Sequence, residues 1–80
     1  MDRLEQWARH PHNVRFVDLC REAERYGFSL IRVRGSHHQF ARDGVSEILT
    51  LNPGPSGKVV PAQVRKLKRT VEAYGLTARE

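Results

Sequence analysis

Two similar helix-ending segments constrain the fold of this chain most strongly: Tyr26-Gly27-Phe28 near the middle and Tyr74-Gly75-Leu76 near the end. A glycine directly after a helix readily adopts the left-handed conformation that ends it, and the apolar residue that follows folds back onto the last turn. Each segment therefore predicts the end of a helix. We interpret the similarity as shared capping chemistry and not as an internal repeat.

Both predicted helices have one apolar face. In the first, the apolar positions follow the i, i+3, i+4, i+7 spacing of an amphipathic helix and are Phe16, Leu19, Cys20 and Ala23. In the second, Pro61 suits the first turn, and the apolar face consists of Val64, Leu67, Val71 and Tyr74. Two such faces can cover one side of a small sheet.

The residues between the helices predict that sheet. Strands are expected at residues 28–34, 38–42 and 47–51, with tight turns at Gly35-Ser36 and Asp43-Gly44. The segment 52–57, rich in proline and glycine, is expected to be a loop. The sequence therefore predicts an α+β fold in the order helix, three-stranded antiparallel sheet, helix.

The first twelve residues are polar and basic, and they leave two structures open. Leu4 and Trp7 are three residues apart, a spacing that suits either one helical turn laid against the body or a mobile arm. The segment His10-Pro11-His12-Asn13 breaks any helix before it reaches the next one.

The size and composition of the chain limit the classes of protein to which it can belong. Eighty residues, of which 39% are hydrophobic and 29% charged, form one small domain. No apolar run is long enough to span a bilayer, and the first residues lack the apolar core of a signal peptide. The single cysteine, Cys20, excludes an internal disulfide. These features favour the cytoplasm and predict no small-molecule cofactor.

The chain has an excess of positive charge. Fourteen Lys and Arg residues against nine Asp and Glu give a net charge of +5. This charge favours a polyanionic partner, nucleic acid above all, although an acidic protein would suit it as well.

The segment Gly35-Ser36-His37-His38-Gln39-Phe40 carries the most chemistry. Histidine transfers protons near neutral pH. Because side chains alternate across a strand, His38 is expected to share the buried face of Phe40, which leaves His37 on the open face. His37 is therefore the candidate proton-transfer residue.

Metal and phosphate sites are less well supported by the sequence. His10 and His12 lie in an irregular segment without a third ligand nearby, so no metal site is predicted. Arg34 and Lys58 are candidates for contacts with a phosphate backbone. A second group of cations lies on the last helix and comprises Arg65, Lys66, Lys68 and Arg69.

Taken together, these segments resemble the HicA-like toxins of bacterial toxin–antitoxin systems. The resemblance extends over residues 14–76 and includes the helix ending Tyr26-Gly27-Phe28, the Gly-Ser-His-His-x-Phe motif, and Gly57-Lys58-Val59-Val60-Pro61 before the last helix. It implies a domain at residues 14–76 preceded by an extension at 1–13. It also implies a fold similar to the double-stranded-RNA-binding domain.

The resemblance further implies an activity and a partner. Members cleave mRNA independently of the ribosome and are neutralised by a HicB-like antitoxin that covers the active site. The family's catalytic histidine corresponds to His37, and the glycine of the motif corresponds to Gly35. Ser36 is expected to orient His37 or the phosphate, with Arg34 and Lys58 binding substrate.

Two other functions fit the same residues. A non-catalytic RNA-binding module would use the same basic surface without chemistry. A protein-interaction domain would use it to bind an acidic partner.

Overall fold

The computed structural model describes residues 2–79. Three α-helices and three strands follow one another as α1 (Arg3–Arg9), α2 (Phe16–Arg25), β1 (Ser29–Arg34), β2 (His37–Ala41), β3 (Leu49–Leu51) and α3 (Pro61–Ala73). The predicted α+β class and the order helix, three-stranded antiparallel sheet, helix are confirmed, with α1 added in front.

The sheet has the strand order β1-β2-β3, and both pairs are antiparallel. Gly35 and Ser36 form a two-residue turn between β1 and β2. Gly35 has a φ of +58° whereas Ser36 is not in the positive region, the combination of a type II′ hairpin turn. The turn lies where it was expected, but β2 begins at His37, one residue earlier than predicted.

Both predicted helix ends have the expected geometry. At the end of α2, Gly27 has a φ of +93°, and the Phe28 N–H donates to the Ala23 carbonyl at 3.1 Å. At the end of α3, the Leu76 N–H donates to the Val71 carbonyl at 2.9 Å. These are the hydrogen bonds of a Schellman motif, which satisfies carbonyls that the helix leaves free.

The core lies between the helices and one face of the sheet. Phe40 of β2 and both ends of β3 are buried there, together with residues from all three helices. The largest fully buried aliphatic side chains are Leu4, Leu19, Leu49, Leu51, Val64 and Leu67. Burial of this apolar surface is the main source of stability in a domain of this size.

The first helix is part of this core. α1 packs against α3, and Leu4 is only 2% exposed. Asp2 caps the helix, because its carboxylate accepts the Glu5 N–H at 2.8 Å. Of the two structures that the sequence left open, the helix laid against the body is the one observed.

A short pairing ties the segment after α1 to the segment before α3. The Val59 N–H donates to the Val14 carbonyl at 3.0 Å, and Arg15 forms an isolated antiparallel bridge with Lys58. The loop before this bridge contains one 3-10 turn, Pro55–Gly57, where no regular structure was expected.

Two other expectations need correction. The third strand covers only residues 49–51 and not 47–51. Tyr74 lies at the edge of the core and is half-buried; its hydroxyl is 2.9 Å from Ser46 Oγ. The Tyr74 ring is only half-buried because its polar hydroxyl stays near solvent and near the Ser46 hydroxyl.

No helix within residues 2–79 has the length and apolar character to cross a membrane.

Candidate active site

The first hairpin brings two of the predicted site residues together. Arg34 at the end of β1 is the cross-strand partner of His37 at the start of β2, and both side chains are exposed. Side chains directly opposite each other in an antiparallel pair have Cβ atoms about 4.5–5.5 Å apart. The two side chains therefore leave the backbone next to each other, at one end of the open face.

The two histidines lie on opposite faces, as alternation predicts. His38 is half-buried on the face of Phe40, where its ring meets Phe16 of α2 edge-on, with ring centroids 4.8 Å apart and an interplanar angle of 67°. Its Nδ1 is 3.1 Å from the Ser36 carbonyl oxygen. The sequence indicated the face of His38 but not its contact with Phe16.

This hydrogen bond determines which nitrogen of the neutral His38 ring carries the proton. A carbonyl oxygen only accepts, so Nδ1 must be the donor. The other nitrogen, Nε2, is then a free acceptor in the neutral ring. His38 is thus an oriented imidazole, whereas the His37 ring has no hydrogen-bond partner among residues 2–79.

Gly35 and Ser36 shape the turn that holds these side chains. Gly35 needs its left-handed φ for the hairpin, and a Cβ there would have open space around it, with nothing within 4 Å. The restriction at this position is therefore conformational and not steric. Ser36 reaches the site through its backbone carbonyl oxygen, which lies within hydrogen-bond distance of His38, and its exposed hydroxyl forms no hydrogen bond with His37 in the described part of the chain.

Lys58 is bonded to the segment that leads into α2. Its Nζ donates to the Asn13 side-chain oxygen at 2.7 Å, and its backbone pairs with Arg15. Arg15 directly precedes Phe16, the residue that contacts His38. Lys58 is therefore connected to the His38 side of the hairpin, and no hydrogen bond or ion pair joins it to the Arg34–His37 pair within the described residues. The role of Asn13 was not visible in the sequence.

Three of the four cations on α3 line a groove that does not include Lys66. Arg65 and Arg69 line a groove between α3 and α1, together with Arg9. Lys68 in the same groove is paired with Glu72, with Nζ 2.6 Å from Oε2. This groove contains both signs of charge, so it is less basic than the sequence suggested.

No group of three or more His, Cys, Asp or Glu side chains within residues 2–79 is arranged to hold a metal ion. His10 and His12 are both exposed, on the segment that follows α1.

Comparison with known proteins identifies one family. The family model for the HicA toxin of bacterial toxin–antitoxin systems matches residues 16–73, well over half of the chain. The match contains the hairpin, Lys58 and the whole of α3, whereas α1 precedes it. No curated protein and no solved structure matches the chain. With its fold and its hairpin motif, the chain belongs to the HicA toxin family and is a toxin of a toxin–antitoxin system.

Proposed function

We propose that this toxin is an endoribonuclease that cleaves mRNA without a metal ion and uses His37 for proton transfer. The observation that carries the proposal is the pairing of Arg34 with His37 at the exposed end of the hairpin. A proton-transfer group and a cation side by side are what cleavage of a phosphodiester requires. Membership in the HicA family supports the same activity.

The chemistry uses the 2′-hydroxyl of RNA. A base removes the 2′-OH proton, the 2′ oxygen attacks phosphorus, and the bond from phosphorus to the 5′ oxygen breaks. The leaving 5′ oxygen takes up a proton, and a 2′,3′-cyclic phosphate remains on the upstream fragment. His37 acts as the general base or the general acid in this sequence, and Arg34 stabilises the negative charge that builds up on the phosphoryl oxygens.

The remaining predicted residues bind and position the RNA in this proposal. Gly35 and Ser36 hold the turn that presents His37 and bring the backbone close to the phosphate. Lys58 contacts a phosphate farther along the strand, since it is joined to the His38 side of the hairpin. The activity requires the cytoplasm, where mRNA is found, and a HicB-like antitoxin neutralises it by covering the hairpin.

Cleavage of a defined single-stranded RNA in the presence of EDTA tests this proposal. We expect the wild-type chain to cleave, and His37→Ala to lose about 10²- to 10⁴-fold in rate, the usual contribution of general acid–base catalysis. His12→Ala is the matched control, because it removes another exposed imidazole and should keep the wild-type rate. RNA with a 2′-deoxy substitution at the cleaved position should stay intact.

The other outcomes identify the alternatives. Full activity in a folded His37→Ala protein contradicts the assignment, and loss of activity in His38→Ala alone would transfer the proton-transfer role to the oriented ring. Intact RNA with salt-sensitive binding indicates a non-catalytic RNA-binding module. Intact RNA without binding at low salt indicates a domain that binds only an acidic protein.

A further inference from the structure

We propose that strand β1 accepts an extended acidic segment of a protein partner as a fourth strand of the sheet. Only the partner's role as the antitoxin rests on the proposed function; the docking itself does not require nuclease activity. The proposal depends on three properties of β1: an open edge, exposed aliphatic side chains and charge of one sign.

The outer edge of β1 is open. In the order β1-β2-β3, β1 is a terminal strand and pairs only with β2 within residues 2–79. An edge strand carries a row of N–H and C=O groups on its free side, and these can pair with another extended chain.

The side chains of β1 are all exposed. Leu30, Ile31 and Val33 are 47%, 57% and 50% exposed, although Leu30 and Val33 are paired with residues on the core face of β2. The core does not extend far enough to cover them. An added strand would shield this apolar surface from water, which favours a protein over RNA as the occupant because aliphatic side chains offer no platform for base stacking.

The edge carries the usual protections against indiscriminate pairing. A bulge at Ile31 interrupts the register, because Leu30 pairs with Phe40 and Arg32 already pairs with Gln39. Natural edges also use charged side chains to prevent aggregation. Here both charges, on Arg32 and Arg34, are positive.

These positive charges favour a partner segment with negative charge. Neither β1 nor β2 contains an acidic residue. The ion pairs within residues 2–79 join Arg9 to Glu5, Arg25 to Glu22 and Lys68 to Glu72, so neither Arg32 nor Arg34 is neutralised. A strand with acidic side chains at alternate positions supplies the missing charge, and opposite charges across a strand pair are stabilising.

A second copy of the chain fits this edge less well. Antiparallel self-pairing centred on Arg32 sets that arginine against itself, and self-pairing centred on Val33 sets Arg32 against Arg34. Like charges directly opposite each other destabilise a sheet, and each copy carries a net charge of +5.

A strand bound next to β1 would also cover Arg34, the cross-strand partner of His37. Docking of the partner would in this way inhibit the proposed active site.

The experiment uses a capped peptide that alternates glutamate and valine and is long enough to span β1. Binding to the full, isotope-labelled chain is followed by backbone amide NMR at low salt. We expect shift changes and slowed amide exchange concentrated in Ser29–Arg34. We expect no binding of a lysine–valine counterpart, and none of the same acidic peptide N-methylated at alternate residues.

Two variants with the same charge change provide the matched comparison. Arg32→Glu should weaken binding of the acidic peptide roughly tenfold, because attractive cross-strand contacts become repulsive. Arg21→Glu, on an exposed position of α2, should leave binding unchanged. Binding should persist in His37→Ala, which separates this proposal from the proposed catalysis.

Several results would overturn the proposal. These are no binding of the acidic peptide, amide changes away from β1, or equal binding by wild type and Arg32→Glu. A dimer in sedimentation whose β1 amides are protected without peptide would assign the edge to a second copy. Protection of β1 by an RNA oligonucleotide but not by the peptide would assign it to nucleic acid.

Discussion

Replacing Leu4 by alanine tests whether α1 contributes to the stability of the whole domain. The helix has only seven residues, too few to be stable in water on its own. Packing against the rest of the domain must therefore stabilise α1, and Leu4 is the only buried residue of this helix. Removing the Leu4 side chain should weaken α1 and the core together.

The magnitude follows from the burial of Leu4. The change removes three carbon groups from a site that is 2% exposed, and at about 0.8 kcal/mol each the loss of transfer free energy is about 2.4 kcal/mol. The cavity left behind adds to this, and buried Leu→Ala changes cost about 2–5 kcal/mol. We expect about 2.5–3 kcal/mol, because a short terminal helix can settle into part of the cavity.

Urea and thermal unfolding measure this loss. In a domain of this size each kcal/mol lowers Tm by about 4–8 °C, so Leu4→Ala should lower Tm by at least about 10 °C. Gln6→Ala is the matched control, since Gln6 is an exposed residue of the same helix and should stay within about 0.5 kcal/mol of wild type.

The single tryptophan makes the test local as well as global. Trp7 lies on α1 and is packed against the core, so its fluorescence reports undocking of the helix while circular dichroism reports the whole domain. Coincident transitions are expected if α1 unfolds with the domain. Equal midpoints for Leu4→Ala and Gln6→Ala would refute the reasoning, because α1 would then add nothing to the stability of the core.

Two further predictions concern other parts of the fold. Arg42→Ala should lower the free energy of unfolding in urea by about 1.5 kcal/mol, because Arg42 Nε donates to the Tyr26 carbonyl at the end of α2 at 2.7 Å; an unchanged midpoint would contradict this role. Burial, with a smaller effect from Glu24, raises the pKa of the Cys20 thiol from 9.0 to about 11, so at pH 8 its reaction with a thiol reagent should be about 100-fold slower in the folded chain than in urea. Equal rates in the two states would show that the thiol is not protected.

The parts of the fold that depend on local signals could be predicted from the sequence. α2 and α3 each end at a single glycine in the left-handed conformation, Gly27 and Gly75, and a glycine at this position can be read from the local sequence. His37 and His38 lie on opposite faces because side chains alternate along one strand. The pairing of Arg34 with His37 follows from a two-residue turn. These features need no knowledge of distant residues.

The parts that depend on distant contacts could not be predicted. Whether residues 3–9 form a helix depends on the burial of Leu4 against elements that come later in the chain. The short local sequence alone therefore does not determine the structure of α1. The place of Lys58 depends on a bridge to Arg15 and a hydrogen bond to Asn13, and neither has a local signal. The roles of His37, Ser36, Gly35, Arg34 and Lys58 in binding and catalysis remain predictions.

The bridge between Arg15 and Lys58 also has a consequence for synthesis on the ribosome. Asn13 and Lys58, which are joined by a hydrogen bond, are 45 positions apart in the chain. Residues 3–15 are translated before the segment that pairs with them and before α3, the helix that packs against α1. A nascent chain that stops before α3 lacks the helix that packs against α1, so fragments from interrupted translation should be poorly folded and harmless to the cell that makes them.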